Sequence, residues 1–274
     1  MTVTNAVETT MIWGTVSGAS MVGMVISLLL SVVLPIFLGI FIYKKTKAWV
    51  PAFFIGCGIF VGFAMILEQI CHAIVLTVTG SAIRDNIWLY AIYGGLAAAL
   101  FEECGRWIAM KFCLKKHLTR ENALMYGAGH GGIEAFLILG MSSMSNLLTA
   151  AMINGGLMEK TMTALEPAQQ EVTYHQLSVL WTTPAYQFYL APVERISAIA
   201  LQIALSILVY SAVKTGRKLH LAAAFGLHFA VDFLTVICAA AIPTWVLELG
   251  LLLVVAVICV VVYQLVYVQM AEKK

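Results

Sequence analysis

Residues 98–107, with the sequence AALFEECGRW, place three charged side chains in a stretch that is otherwise as apolar as a membrane span. These side chains are Glu102, Glu103 and Arg106. Each ionisable side chain near the centre of a bilayer costs about 2.5–3.5 kcal/mol on insertion scales. A helix that carries all three therefore needs partners on neighbouring helices or a water-filled cavity, and we expect the rest of the chain to supply them.

The composition of the chain indicates a membrane protein. Of its 274 residues, 61% are hydrophobic and 11% are charged, and the mean hydropathy is +0.93. A soluble globular domain is about 45–50% apolar and about 25% charged. The net charge of +2 gives no indication of a nucleic-acid partner. We therefore expect the lipid bilayer to surround most of the chain.

Hydropathy predicts seven transmembrane helices, each long enough to cross a hydrocarbon core of about 30 Å. The predicted spans are 18–43, 49–79, 87–112, 122–144, 189–213, 219–241 and 245–268. The first span lacks the flanks of a cleavable signal peptide, and we expect it to be a retained helix. The predicted fold is thus all-α, a polytopic membrane protein whose residues 1–274 form a single bundle of seven transmembrane helices.

Basic residues cluster in alternate loops of this topology. The clusters are Lys44, Lys45 and Lys47; Lys111, Lys115, Lys116 and Arg120; and Lys214, Arg217 and Lys218, with Lys273 and Lys274 in the tail. Because the positive-inside rule places such loops in the cytoplasm, we expect the amino terminus outside and the carboxyl terminus cytoplasmic. We further expect a multi-pass protein of a bacterial plasma membrane. The long connection at about 150–188 then lies outside, as a solvated loop with a short interfacial helix or as a gate.

The ionisable residues of the spans fall into two layers when depth is counted along straight helices from the basic loops. The inner layer holds Glu102, Glu103, His130, Glu134, His228 and Asp232, and the outer layer holds Glu68 and Arg195. His130 and Glu134 are four residues apart, as are His228 and Asp232, so each pair shares one helix face. We expect Glu68 and Arg195 to form a structural ion pair.

Four glycines surround His130 in the sequence YGAGHGG. They are Gly127, Gly129, Gly131 and Gly132. Small residues allow helices to approach closely, and here we also expect them to leave room for a substrate backbone.

The inner layer suits the activation of water. A carboxylate in an apolar pocket can act as a base, and a nearby histidine can orient the water. A second histidine with a polar neighbour can stabilise an oxyanion. Glu102, His130 and His228 could instead hold a zinc ion with an open fourth position, although no HExxH motif is present. Chains of carboxylates and histidines also relay protons, which leaves a proton-coupled transporter as an alternative.

Three motifs resemble those of a known superfamily. EECGR at 102–106, YGAGHGGIE at 126–134 and HFAVD at 228–232 are similar to the motifs of the CAAX-protease and bacteriocin-processing superfamily of glutamic-type intramembrane proteases. The most similar branch is the YhfC-like family. The superfamily patterns are EExxxR, FxxxH and HxxxN or HxxxD. Here Arg106 comes one residue earlier, and Tyr126 stands in place of the phenylalanine.

The resemblance extends over about 87–241, and it implies catalytic helices at about 87–112, 122–144 and 219–241. It implies that Glu102 is the general base, that His130 positions the attacking water, and that His228 and Asp232 form the oxyanion side. Glu103 belongs to the same implied catalytic set and is the alternative base, and the implied supporting residues are Arg106, Glu134 and Tyr126.

The function that the resemblance implies is that of an intramembrane peptidase. Its substrate would be a membrane-associated peptide or protein, and its mechanism would be of the glutamic type, with a zinc-dependent mechanism left open. The superfamily is thought to include the gamma-secretase subunit APH, so a catalytically silent scaffold is a second alternative. The sequence gives no indication of the oligomeric state.

Overall fold

The structure, a computed structural model, describes residues 11–270. The first ten residues, expected outside, and the tail lysines Lys273 and Lys274, expected to be cytoplasmic, are not among the described residues. Within that range the fold is all-α, as predicted, and seven helices are long and apolar enough to cross a membrane. These seven are α1 (Gly18–Thr46), α2 (Pro51–Thr79), α3 (Ile87–Cys113), α4 (Arg120–Asn154), α7 (Ala185–Thr215), α8 (Lys218–Ala239) and α9 (Thr244–Val268). Two shorter helices, α5 (Leu157–Met162) and α6 (Pro167–Thr182), connect α4 to α7.

Polar residues and glycine mark the ends of the long helices. The side chains of Ser17, Asn86 and Thr119 accept hydrogen bonds from backbone N–H groups in the first turns of α1, α3 and α4. Gly216 ends α7 with a φ of 74°, a left-handed conformation that glycine adopts without steric cost. These caps satisfy backbone groups for which lipid offers no partner.

Helix α7 is the centre of the bundle. In its most apolar 18-residue window, 72% of the residues are buried, compared with 17–33% in the other six spans. It packs against α1, α4, α8 and α9. Because it has neighbours on every side, polar side chains of α7 can reach several helices at once, and Gln202 does so.

Helix α4 packs very closely against its neighbours through its glycines. A Cβ atom at Gly129 would lie 1.9 Å from a backbone oxygen of α2, and one at Gly127 would lie 2.7 Å from the Cα atom of Ile203 in α7. Gly131 and Gly132 face α7 and α1 in the same way. The expected close approach is present, but the expectation that these glycines leave room for a substrate backbone is wrong, because the neighbouring helices fill that space.

One end of the bundle carries the basic loops. We call this end the basic face, defined by Lys44, Lys45, Lys47, Lys111, Lys115, Lys116, Arg120, Lys214, Arg217 and Lys218. The backbone N–H of Trp49 donates to Asn122 at 2.7 Å, and Arg120 donates to the carbonyl of Tyr267 at 3.0 Å. These contacts bring the start of α4 together with the α1–α2 loop and the end of α9.

The half of the bundle near the basic face has an apolar interior. Met110, Leu114, Met125, Leu205 and Val209 are all at most 1% exposed and belong to one continuous core. This core separates the basic face from the polar residues deeper in the bundle.

The opposite end of the bundle is covered in part by α6. The helix includes the short helical stretch expected in the long connection. The hydroxyl of Tyr174 in α6 donates to the carbonyl of Ile12 at 2.6 Å, and the rings of Trp13, Tyr174 and Trp181 pack together. Ile12 and Trp13, shortly before α1, are therefore held against α6, and a gating role for the long connection stays a prediction.

Candidate active site

Glu102 lies in the middle of α3, and its two carboxylate oxygens have different surroundings. Oε2 accepts a hydrogen bond from His130 Nε2 at 2.9 Å and another from Gln202 Nε2 at 2.9 Å. Among the described residues Oε1 has no hydrogen-bond partner, and the side chain lines a cavity. The carboxylate is thus fixed through one oxygen and available through the other.

Gln202 of α7 joins three charged residues. Its Nε2 donates to Glu102 at 2.9 Å and to Glu134 at 2.8 Å, and its Oε1 accepts a hydrogen bond from Arg106. This fixes the orientation of the amide, because the reverse orientation would point its oxygen at two carboxylates. Gln202 was not among the predicted site residues, because only ionisable side chains were considered. The available signal was a lone amide in the apolar run IALQIAL at 199–205.

Arg106 carries the positive charge next to Glu102 and Glu103, outside the cavity lining. Its side chain is fully buried and donates from Nη1 to the backbone carbonyl of Gln202 at 3.0 Å and to Ser206 at 3.4 Å. It also lies 3.9 Å from Glu102 and 3.5 Å from Glu103. One guanidinium therefore balances two adjacent buried carboxylates, which α3 alone could not hold in a low-dielectric setting.

His130 lies behind Glu102 and away from the cavity. It is completely buried, and its Nδ1 lies 3.5 Å from the hydroxyl of Tyr126, one turn earlier in α4. The ring of Phe60 packs edge-on against it, with ring centroids 5.2 Å apart. His130 thus contacts the carboxylate of Glu102 from the protein side, and Tyr126 lies behind His130.

His228 of α8 is flanked by carboxylates on both ring nitrogens. Nδ1 donates to Glu103 at 2.8 Å, while Nε2 lies 3.5 Å from Asp232 and 4.0 Å from Glu102. Two flanking acceptors favour the doubly protonated ring, which carries an N–H on each nitrogen. The Asp232 side chain is 35% exposed, so this part of the site is open.

A cavity of about 240 Å³ lies between α3, α4, α7, α8 and α9. Its polar lining comprises Glu102, Glu134, Glu194, Arg195, Ser197, Gln202, His228, Asp232 and Thr235. Glu103, Arg106, Tyr126 and His130 are not part of the lining. The structure therefore separates the two adjacent glutamates: Glu102 faces the cavity, whereas Glu103 is turned towards His228 and Arg106.

The predicted ion pair between Glu68 and Arg195 is wrong. Arg195 donates to Glu134 at 3.1 Å and also to Glu194, while Glu68 lies 3.3 Å from His72 on its own helix. Depth along a helix gave the level of each residue but not the direction in which its side chain points. The two predicted layers are also connected, because Glu134 contacts both Arg195 and the inner residue Gln202.

The side chains as they stand do not fit a metal ion. Within residues 11–270, no three His, Cys, Asp or Glu side chains converge as metal ligands. The nitrogen of His130 that faces Glu102 also lies 3.3 Å from the Arg106 guanidinium, and that fixed positive charge opposes a cation between His130 and Glu102.

Comparisons with known proteins identify the family of the chain. The model of a family described as YhfC intramembrane metalloprotease matches residues 30–259. An uncharacterized membrane protein YhfC of Bacillus subtilis (strain 168) is 41% identical over 222 residues, which cover 78% of this chain and 83% of that protein. No solved structure matches the chain. The match covers all of the residues described above that surround the cavity, and the chain belongs to the YhfC intramembrane metalloprotease family.

Proposed function

We propose that the chain is an intramembrane peptidase in which Glu102 activates water for attack on a peptide bond. The proposal rests on the different surroundings of the two oxygens of this carboxylate. Its Oε2 is held by His130 and Gln202, and its Oε1 is available at the cavity wall. A base must be within hydrogen-bonding distance of the proton that it removes, and a carboxylate fixed on one side meets that condition for water in the cavity.

In the proposed reaction, water in the cavity donates a hydrogen bond to Oε1 of Glu102. Glu102 takes that proton as the water oxygen forms a bond to the carbonyl carbon of the substrate. When the tetrahedral intermediate collapses, the carbon–nitrogen bond breaks, and Glu102 returns the proton to the leaving amine. The carboxylate is then regenerated, and the products are a new carboxyl terminus and a new amino terminus.

His228 suits the oxyanion side of this reaction. Its Nε2 lies on the cavity wall, 4.0 Å from Glu102, and Glu103 holds its Nδ1. An N–H at this position can donate to the negative oxygen of the intermediate. Asp232 lies 3.5 Å from the same nitrogen and orients the ring until substrate enters.

Four other residues act as positioning residues in this proposal. They are Glu103, Arg106, His130 and Gln202, each of which contacts Glu102 or His228. Of these four, Gln202 alone lines the cavity. The resemblance implied that His130 positions the attacking water. Its complete burial supports a different role, in which it positions Glu102 instead.

The proposed steps use side chains alone. The family description names a metalloprotease, but the fit of these donors to a metal is poor because Arg106 lies beside His130. Placement in the glutamic-type superfamily is thus part of the proposal, and metal analysis is one of its tests.

The proton-coupled transporter is the less favoured alternative. A carrier needs a polar route from one membrane face to the other. Below Arg106, the interior towards the basic face is filled by Met110, Leu114 and Met125, which are at most 1% exposed. The cavity is instead bounded by Glu194 and Asp232, whose side chains are both 35% exposed. We propose that a membrane-associated peptide or protein reaches the site from this side, in a bacterial plasma membrane.

The test is cleavage of single-span peptides by purified protein reconstituted in liposomes. In ¹⁸O-labelled water, mass spectrometry should detect ¹⁸O in the new carboxyl terminus. Glu102→Gln keeps the shape of the side chain and removes the base, so the rate should fall by a factor of about 10²–10⁴. Glu159→Gln, which makes the same change in α5 outside the site, is the matched control and should cleave like the native chain.

Full activity in Glu102→Gln would contradict the assignment of the base. Loss of activity in Glu103→Gln alone, at native stability, would transfer the role to the second glutamate. Native protein that cleaves none of a broad set of membrane peptides, while it binds some of them, would favour the silent scaffold.

A further inference from the structure

A second cleft opens at the basic face, on the other side of the apolar core from the active site. It lies between the start of α4 and the ends of α7 and α9. A pocket of about 360 Å³ is lined by Arg120, Glu121, Tyr210 and Lys214, among others. Farther from the basic face along the same helices, a groove of about 470 Å³ is lined by aliphatic and tyrosine side chains and Cys259. Each volume lies within the range of small-ligand sites, about 300–1,000 Å³.

The pocket and the groove follow the same helix faces. In α7 the lining residues are Ile203 and Ile207 in the groove and Tyr210 and Lys214 in the pocket. Their spacing of four, three and four residues keeps them on one face of the helix. In α4, Arg120 lines the pocket and Leu124, one turn later, lines the groove. The two spaces therefore follow one another along the same helices, charged at the basic face and apolar farther from it, and we call them together the cleft.

Arg120 is held in place at the top of this cleft. Its guanidinium carbon lies 4.5 Å from the ring centroid of Tyr267, and its Nη1 donates to the carbonyl of that residue at 3.0 Å. Its Nε donates to Glu121 at 2.9 Å, so one acidic charge is offset. Lys214 adds an exposed positive charge, which gives the lining of the pocket a net positive charge.

We propose that this cleft binds one anionic phospholipid, with its phosphate at Arg120 and Lys214 and one acyl chain along the groove. A basic pocket between transmembrane helices at a membrane surface is a typical site for an anionic headgroup. The apolar groove directly below suits a hydrocarbon chain. A soluble phosphate ester would use the pocket alone and leave the groove unfilled, so the groove favours a lipid. This proposal is independent of the proposed peptidase activity.

Native mass spectrometry of the full chain in detergent tests the proposal. The protein is titrated with palmitoyl-oleoyl phosphatidylglycerol or with the zwitterionic phosphatidylcholine that has the same chains. We expect one phosphatidylglycerol to bind more tightly than phosphatidylcholine. Arg120→Gln and Lys214→Gln should each weaken phosphatidylglycerol binding by about fivefold, since one surface cation contributes about that factor. The double variant should bind both lipids about equally.

Two further variants distinguish lipid binding in the cleft from a general attraction of anionic lipid to surface charge. Lys44→Gln removes an exposed lysine of the basic face that lies outside the cleft, and phosphatidylglycerol binding should not change. Cys259→Trp fills the groove and should weaken the binding of both lipids. Equal loss in the Lys44 and Lys214 variants would overturn the proposal. Unchanged lipid binding in the double variant would also overturn it, since the two cations would then not hold the phosphate.

Discussion

Replacement of Gln202 by leucine should lower both the stability of the bundle and the rate of cleavage. The amide of Gln202 makes hydrogen bonds with three charged partners, Glu102, Glu134 and Arg106. Leucine has a similar volume and no polar atoms in its side chain. The change therefore removes all three interactions while it leaves the packing of α7 against its neighbours largely unaltered.

The expected loss of stability in Gln202→Leu depends on the contacts that each partner of Gln202 keeps. Glu102 keeps its hydrogen bond from His130, and Glu134 keeps Arg195, so no charge is left alone. The loss is then the net value of hydrogen bonds to charged groups, about 1.5–3 kcal/mol each. Because interactions that share one side chain are not additive, we expect about 3–5 kcal/mol in total. At about 2–4 °C per kcal/mol, the melting temperature should fall by about 6–20 °C.

The catalytic effect has a separate cause. Without Gln202, one of the two hydrogen bonds on Oε2 of Glu102 is lost, and the carboxylate can rotate away from the cavity. Misplacement of a catalytic group by about 1 Å can cost about 100-fold in rate, and we expect a loss of that order. Gln202→Glu keeps the shape and the contact with Arg106 but places a third carboxylate against Glu102 and Glu134, so it should be at least as damaging.

Thermal unfolding in detergent and cleavage in liposomes measure the two effects. Gln187→Leu makes the same change at a partly exposed position near the start of α7, and it should alter the free energy of unfolding by less than about 0.5 kcal/mol. If Gln202→Leu unfolds like Gln187→Leu and cleaves at the native rate, the bridging role of Gln202 is refuted.

Three further predictions concern the charges and the topology. Glu134→Gln should lower stability by about 1–3 kcal/mol because it weakens the buried pair with Arg195, whereas Glu68→Gln, beside the partly exposed His72, should cost under about 1 kcal/mol in thermal unfolding. A larger loss of stability in Glu68→Gln than in Glu134→Gln would instead support the predicted ion pair between Glu68 and Arg195. A reporter fused at Lys116 should be cytoplasmic, and a periplasmic signal there would invert the topology. Purified protein treated with strong chelators should still cleave, and loss of cleavage that only added zinc restores would establish a metal-dependent mechanism.

The spans were largely predictable from the sequence, and so was the set of ionisable residues at the depth of the site. Hydropathy reports burial in lipid directly, and the predicted spans agree with the observed helices within a few residues at most ends. The clearest difference is α4, which continues to Asn154 instead of ending near 144. Its final turns are less apolar, with Ser142, Ser143, Ser145 and Asn146, so hydropathy stopped too early.

The directions of the side chains were not predictable in the same way. A count along a straight helix gives depth, but α2 contains a π-helical segment, Val61–Glu68, which changes the direction of the side chains that follow it. Glu68 stands at the end of that segment and faces His72 rather than Arg195. Gln202 was missed for a different reason: only ionisable side chains were considered as candidates for the site, although the amide of Gln202 makes hydrogen bonds with three charged groups.

The apolar core between Arg106 and the basic face has a consequence for the proton gradient across the membrane. An enzyme that brings water and ionisable groups into a membrane risks a proton leak, which would dissipate the electrochemical gradient. Met110, Leu114, Met125, Leu205 and Val209, each at most 1% exposed, form an apolar layer between Arg106 and the basic face. Hydrolysis within this bundle would then proceed on one side of an electrically insulating layer, and the membrane would keep its potential while peptide bonds are cut inside it.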